Sequence, residues 1–142
     1  MMQINPYLNY DGDAEAAFRF YQSVLGGELF VQRMGDAPGN ESLSEQERQR
    51  AMHVSLPIGN NLLMASDCSA ADGSGFRKGN NFYISITPES REDADRIFAG
   101  LSAGGQIEMP MADMFWGDYF GSFIDKFGIG WMVNFPTAKK DA

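Results

Sequence analysis

Residues 114–135 read MFWGDYFGSFIDKFGIGWMVNF, a stretch that holds both tryptophans, five of the eleven phenylalanines and four glycines. Aromatic side chains suit a pleated surface, so the stretch reads as two strands and a tight turn. Trp116–Phe120 leads into Ser122–Ile124, and Asp125–Gly128 turns the chain, with Gly128 free to take positive φ. Gly130–Phe135 returns and closes a sheet. Most of these aromatics read as core. Trp116 and Tyr119 are different, because they flank Gly117, Asp118 and Gly121, where a strand end would face a cavity. There Asp118 either holds a polar group of a ligand or caps the turn.

Upstream, the chain alternates strands with two helical patterns. Ile4–Tyr10 reads as a short strand interrupted by Pro6, near a sheet edge. Asp13 is placed to cap a helix whose apolar face is Ala14, Ala17, Phe18, Tyr21, Val24 and Leu25, ended by Gly26-Gly27. Glu28–Met34 reads as a strand. Gly35–Arg50 is polar, with a short charged helix capped by Ser42 or Ser44; it is a solvated connection or a lid. Met52–Ile58 and Leu62–Ser66 form a hairpin around Gly59-Asn60-Asn61. Asp67–Asn80 is glycine-rich but lacks both phosphate-binding glycine spacings, and reads as a linker. Asn81–Thr87 is a strand. Ser90 caps a second helix, with Asp93 in the capping-box position and Ala94, Ile97, Phe98 and Leu101 as its buried face. Gly104-Gly105 ends it, Gln106–Met111 is a strand, the aromatic hairpin follows, and the tail Ala138–Ala142 reads as frayed.

These elements repeat. Adding 78 carries Gly26-Gly27 onto Gly104-Gly105, Phe20 onto Phe98, Ala16 onto Ala94 and Ile4 onto Phe82. The pattern repeats more than the letters do. The fold class is therefore α+β: two βαβββ modules, about 1–67 and about 81–136, with a linker at about 68–80, making a curved mixed sheet around a cavity with helices on the outside.

The totals narrow the function classes. A chain of 142 residues is one domain by length and needs no disulfide to hold its core. A net charge of −8 disfavours nucleic acid and anionic membranes as partners. The single cysteine, Cys68, points to a reducing compartment, and it has no basic sequence neighbour to lower its pKa. The opening MMQINPYLNY lacks the basic and apolar regions of a signal peptide, and no apolar run reaches spanning length. The expected location is the cytoplasm. His53, the only histidine, shares a strand face with Ser55. It is either a structural residue or a hydrogen-bond partner and general base lining the cavity.

The stretches NPYLNYDGDAEAAFRFYQSVLGGEL, LPIGNNLLMASD and FWGDYFGSFIDKFGIGWMVN resemble the vicinal oxygen chelate superfamily of glyoxalase I, extradiol dioxygenases and bleomycin-resistance proteins. Within it they resemble the PhnB-like branch, some members of which carry a demethylubiquinone methyltransferase label. Nothing here forms the glycine-rich strand-to-helix turn that an adenosylmethionine cofactor would need. The resemblance implies a homodimer. In metal-dependent members, one His or Glu from the first strand and one acid from the last strand of each module bind the ion, the acid four residues past the hairpin glycine. Those positions here are Asn5 or Pro6 with Leu63, and Tyr83 or Ile84 with Met132. None of these pairs offers hard oxygen or imidazole ligands, so neither a metal nor another cofactor is expected.

Three functions compete. The first is metal-free binding of a small apolar or aromatic molecule in a pocket of Trp116, Tyr119, Phe30 and Met132, with His53 and Asp118 as polar contacts. The second is a lyase or isomerase with His53 as base, with any metal at non-standard positions. The third is a structural or regulatory domain with a vestigial cavity. The methionines Met64, Met109, Met111, Met114 and Met132 would give an adaptable lining or simply fill the core.

Overall fold

The structure, a computed structural model, describes residues 2–68 and 75–137. The centre of the Asp67–Asn80 linker and the Ala138–Ala142 tail lie outside the described residues. The chain divides into two compact units, Met1–Arg77 and Lys78–Ala142.

The first unit contains β1 (Tyr7–Tyr10), α1 (Ala14–Leu25), β2 (Phe30–Arg33), α2 (Glu45–Arg48), β3 (Ala51–Ile58) and β4 (Asn61–Asp67). The second contains β5 (Ile84–Ile86), α3 (Arg91–Ser102), β6 (Gln106–Asp113), β7 (Asp118–Ile124) and β8 (Gly130–Pro136). Each unit is a βαβββ module with its own four-stranded mixed sheet, in the order β1-β4-β3-β2 and β5-β8-β7-β6. In both, the first strand runs parallel to the last and the remaining pairs are antiparallel. The first strands start at 7 and 84 and the long helices at 14 and 91, both 77 apart and within one residue of the offset of 78.

Side chains alternate across each sheet, and one face carries the helix. In the first unit Ala14, Ala17, Phe18 and Tyr21 of α1 are fully buried with Val54, Leu56 and Ala65 of the sheet. Phe18 meets Tyr10 edge-on at 6.2 Å, and the Tyr10 and Tyr21 hydroxyls share a 2.9 Å hydrogen bond. In the second unit Ala94, Ile97, Phe98 and Leu101 of α3 are buried with Phe123, Trp131 and Val133. Phe98 stands edge-on to Phe123 at 5.1 Å. Burying one such ring contributes roughly 1.5–3 kcal/mol. Among the described residues no helix is long and apolar enough to cross a membrane.

The sequence reading changes in several places. β1 starts at Tyr7 rather than Ile4: Pro6 has no N–H to give, although its carbonyl accepts from Met64 N–H at 3.2 Å. β5 is confined to Ile84–Ile86. Ser44, not Ser42, caps α2, accepting from Glu47 N–H. Ser90 caps α3 as its sequence suggests, accepting from Asp93 N–H at 3.0 Å, while the Asp93 carboxylate reaches Glu89 N–H. Asp13 does not cap α1 with its side chain. The buried Asp67 at the end of β4 does so instead, accepting from Gly12 N–H at 2.8 Å and Ala14 N–H at 3.0 Å. Trp116 and Gly117 belong to the β6–β7 turn rather than to a strand, with Met114 N–H donating to Asp118 O and Gly117 N–H to Met114 O.

Candidate functional site

Each sheet has a second face that carries no helix of its own unit, and strand register decides which side chains line it. In the first unit the row across that face is Phe30 opposite Ser55, Ser55 opposite Met64, and Met64 opposite Tyr7. One step along, Gln32 faces His53, and Asn9 faces Ser66. The pairing skips Met52: Gln32 opposes His53 but Arg33 opposes Ala51. Such a bulge re-aims the strand. The extra residue brings the buried Ala51 to the helix side opposite Arg33, which pairs there with Glu15 at 2.7 Å, while His53 stays on the open side. There His53 Nδ1 and the Tyr7 hydroxyl share a 3.1 Å hydrogen bond, either group donating, with ring centroids 5.7 Å apart.

In the second unit the corresponding row is Met109, Ser122, Met132 and Ser85. The next row is Ala112, Phe120 and Asn134. Trp116 folds back toward this side. Its centroid lies 6.5 Å from Phe120, and its indole N–H donates to Asp118 Oδ2 at 3.2 Å. Asp118 is buried. Tyr83 donates to Glu108 at 2.7 Å, which holds its phenol above the ordinary tyrosine pKa. A Cβ at Gly130 would lie 2.8 Å from the Tyr83 ring, so the glycine makes room for it.

Trp116, Asp118 and Met132 thus share the second unit's open face, while Phe30 and His53 share the first unit's. Tyr119 does not join them. It alternates to the helix side, where its hydroxyl donates to Asp95 and the Arg91 guanidinium lies 4.0 Å above its ring. Arg91 also makes a two-pronged ion pair with Asp113. Period two alone separates Tyr119 from Asp118, and that signal was present in the sequence. The same parity places Phe120 beside Trp116 and Asp118. Met64 is among the methionines that the sequence offers as lining, but Tyr7 and Ser85 carry no comparable signal, because only the parallel register of first and last strands puts them on the open faces.

The register also moves the positions counted for a metal. Leu63 and Met132 each stand four residues after a hairpin glycine, yet Leu63 is buried on the helix side and Met132 is on the open side. The two hairpins differ in length: Ile58 pairs directly with Asn61, whereas Ile124 pairs with Gly130 across a longer turn. In that longer turn Asp125 accepts from Phe127 N–H, Ile129 N–H and the Trp131 indole, and Gly128 has φ +92°. The matching open-face pairs are Tyr7 with Met64 and Ser85 with Met132. Neither a thioether with a phenol nor a thioether with an alcohol fits a divalent cation that wants carboxylate or imidazole. Among the described residues no three of His, Cys, Asp or Glu come together as a metal-binding group.

Comparison with known proteins agrees with this architecture. The sequence profile of the Glyoxalase/Bleomycin resistance protein/Dioxygenase superfamily matches residues 3–133. Protein YjdN of Escherichia coli K12 is 32% identical over 142 residues, covering 94% of this chain and 95% of the relative. The crystal structure of protein PA1353 from Pseudomonas aeruginosa superposes with a TM-score of 0.85 at 36% identity, covering 95% of this chain and 98% of that one. A Bacillus cereus structure described as a putative 3-demethylubiquinone-9 3-methyltransferase, PhnB protein, shares the fold, with a TM-score of 0.73 at 23% identity over 94% of this chain and 99% of its own.

Proposed function

The chain belongs to the Glyoxalase/Bleomycin resistance protein/Dioxygenase superfamily, and on that premise we propose that it is a small-molecule-binding protein that works without the superfamily's metal. One observation carries the reading. In each unit the open-face pair on the first and last strands, Tyr7 with Met64 in the first and Ser85 with Met132 in the second, suits an apolar or aromatic ligand better than an ion. Phe30 and His53 extend the first unit's open face, and Trp116, Asp118 and Phe120 extend the second unit's. Within the superfamily we place the chain in the PhnB-like branch, on its W-G-D-Y-F-G and D-K-F-G-I-G-W segments. The methyltransferase description of the Bacillus cereus protein does not carry over, because the Asp67 carboxylate already occupies the amino end of the helix that follows the first strand. We expect a cytoplasmic homodimer, to be checked by light scattering after size exclusion and by cell fractionation.

The test is a thermal-shift screen of neutral aromatic compounds on protein prepared without nickel. A ligand at a hundred times its dissociation constant stabilises by about 2.7 kcal/mol, a readily measured rise in Tm. Stabilisation by divalent ions with none by aromatic compounds would overturn the proposal.

The Tyr7–His53 hydrogen bond favours one second reading, a lyase or isomerase with His53 as base. Tyr7 would fix the imidazole through Nδ1 and leave Nε2 to take the proton. Its test is a turnover screen across lyase and isomerase substrates. Any activity found must disappear in a folded His53→Ala variant, and Tyr7→Phe must shift its pH profile.

A further inference from the structure

The β6–β7 turn puts aromatic surface into water that the core does not use. Phe115 is 97% exposed and Trp116 is 49% exposed. The rings do not stack. Phe115 meets Trp116 at 4.9 Å and 85°, and Phe120 meets it at 6.5 Å and 63°, so three aromatic rings form a corner. The corner is held in place. The Trp116 indole N–H donates to the buried carboxylate of Asp118. Gly117 sits at φ +96°, and its carbonyl accepts from both Thr137 N–H and the Thr137 hydroxyl at 3.0 Å.

We propose that Phe115, Trp116 and Phe120, backed by Asp118, bind a quaternary ammonium group. This rests on the small-molecule-binding reading and gives that ligand a cationic head. Ring faces carry negative quadrupole charge and attract a cation placed over them. A carboxylate accepting the indole N–H polarises that ring further and places its negative charge at the ring edge. The four strands of the second sheet and the β6–β7 turn contain no lysine or arginine to oppose a bound cation, Lys126 lying in the β7–β8 turn at the other end of β7, and the whole chain carries a net charge of −8. Arg91 lies on the other side of the sheet, its charge matched by Asp113. The kind of cation follows from the hydrogen bonds. Asp118 is 6% exposed, which keeps its carboxylate from the donors of a cation at the ring faces, and the rings offer no acceptor oxygen. A primary ammonium or guanidinium would leave its donors poorly satisfied there, whereas a quaternary ammonium has none to satisfy.

The experiment compares choline with its uncharged isostere, in which a quaternary carbon replaces the nitrogen, at constant ionic strength by calorimetry on the full chain. Choline is expected to bind with a roughly tenfold lower dissociation constant than the isostere. Trp116→Leu is expected to abolish that preference. Phe115→Ala is expected to weaken choline about threefold, and folding failure cannot explain this loss because the side chain is almost wholly in water. Equal binding of the two compounds, or choline affinity unchanged in both variants, would overturn the cation site. If neutral aromatic compounds still raise Tm, the small-molecule-binding reading survives that result. If neither choline nor any neutral aromatic compound binds, both fall.

Discussion

The side chain on which the first unit most depends is a carboxylate at the end of a strand. Asp67 is 4% exposed and accepts three backbone hydrogen bonds, from Gly12, Ala14 and Ala51. It starts α1, closes the β1–α1 turn and pins the first residue of β3. Asp67→Ala would strand three buried donors, and unfolding in urea should show a loss of about 3–5 kcal/mol. Asp67→Asn keeps one acceptor but turns an amide N–H₂ toward at least one of the same donors, and about 1–3 kcal/mol should be lost. A variant within experimental error of wild type would mean that water replaces these bonds. In the sequence the local candidate for this cap is Asp13, which occupies the N-cap position without a side-chain cap hydrogen bond. An aspartate more than fifty residues away cannot be recognised as a helix cap until β1 and β4 are known to pair in parallel, with Tyr10 opposite Asp67.

Among the elements, α3 shows how contact with the sheet restricts sequence. A Cβ on Gly121 would come within 2.7 Å of Met111 Sδ, 2.8 Å of Phe98 Cε2 and 3.0 Å of Met109 O. Gly121→Ala should therefore cost about 1–3 kcal/mol by overpacking, whereas Ser90→Ala should cost about 1 kcal/mol by removing a helix cap. Thermal or urea unfolding ranks the two, and a harmless Gly121→Ala would show that β7 can move away from α3. The amino end of α3 is also tied to the sheet by ionisable groups. The hydrogen bond from Arg91 holds Asp113 below the ordinary aspartate pKa, and that from Arg96 does the same for Asp93. The hydrogen bond to Asp95 holds Tyr119 above the ordinary tyrosine value. Depressed carboxylates contribute stability that is present above about pH 4 and is lost as pH falls through their lower folded pKa. The raised phenol contributes stability that is present below about pH 10 and is lost as pH rises through its higher folded pKa. Asp113→Asn should flatten the acid limb of the stability profile and Tyr119→Phe the alkaline limb. Urea midpoints across pH would separate them, and parallel profiles for wild type and both variants would refute the assignment. The helices and their buried faces were legible in the sequence because 3.6-residue periodicity is local. The ends of the short strands were not, because β1 and β5 stop where partner hydrogen bonds stop, a property of the neighbouring strand.

For the whole molecule, a repeat written in pattern rather than in letters becomes two sheets of identical strand order. That much could be read from one offset, since glycine pairs and helix faces recur even where identities do not. The candidate site was less legible. Counting residues from each hairpin glycine assumes equal hairpins, and the two hairpins differ, so Leu63 and Met132 fall on opposite kinds of face. Alternation also parts Tyr119 from its neighbour Asp118, whatever their nearness along the chain. With the register known, the open-face pairs are Tyr7 with Met64 in the first unit and Ser85 with Met132 in the second, and these donors make a prediction about the intact protein. A thioether is a poor ligand for hard divalent ions, and a neutral phenol or alcohol adds little charge compensation. Treatment with a strong chelator should leave Tm and aromatic-ligand affinity unchanged, and added zinc, manganese or nickel should produce no saturable rise in Tm. Ser85→Glu with Met132→Glu should reverse the second result by placing two carboxylates opposite each other on the second unit's open face. A folded double variant is then expected to gain a divalent-ion-dependent rise in Tm that wild type lacks. If chelation lowers the wild-type Tm, an ion is bound through residues other than these four, and the metal-free reading falls.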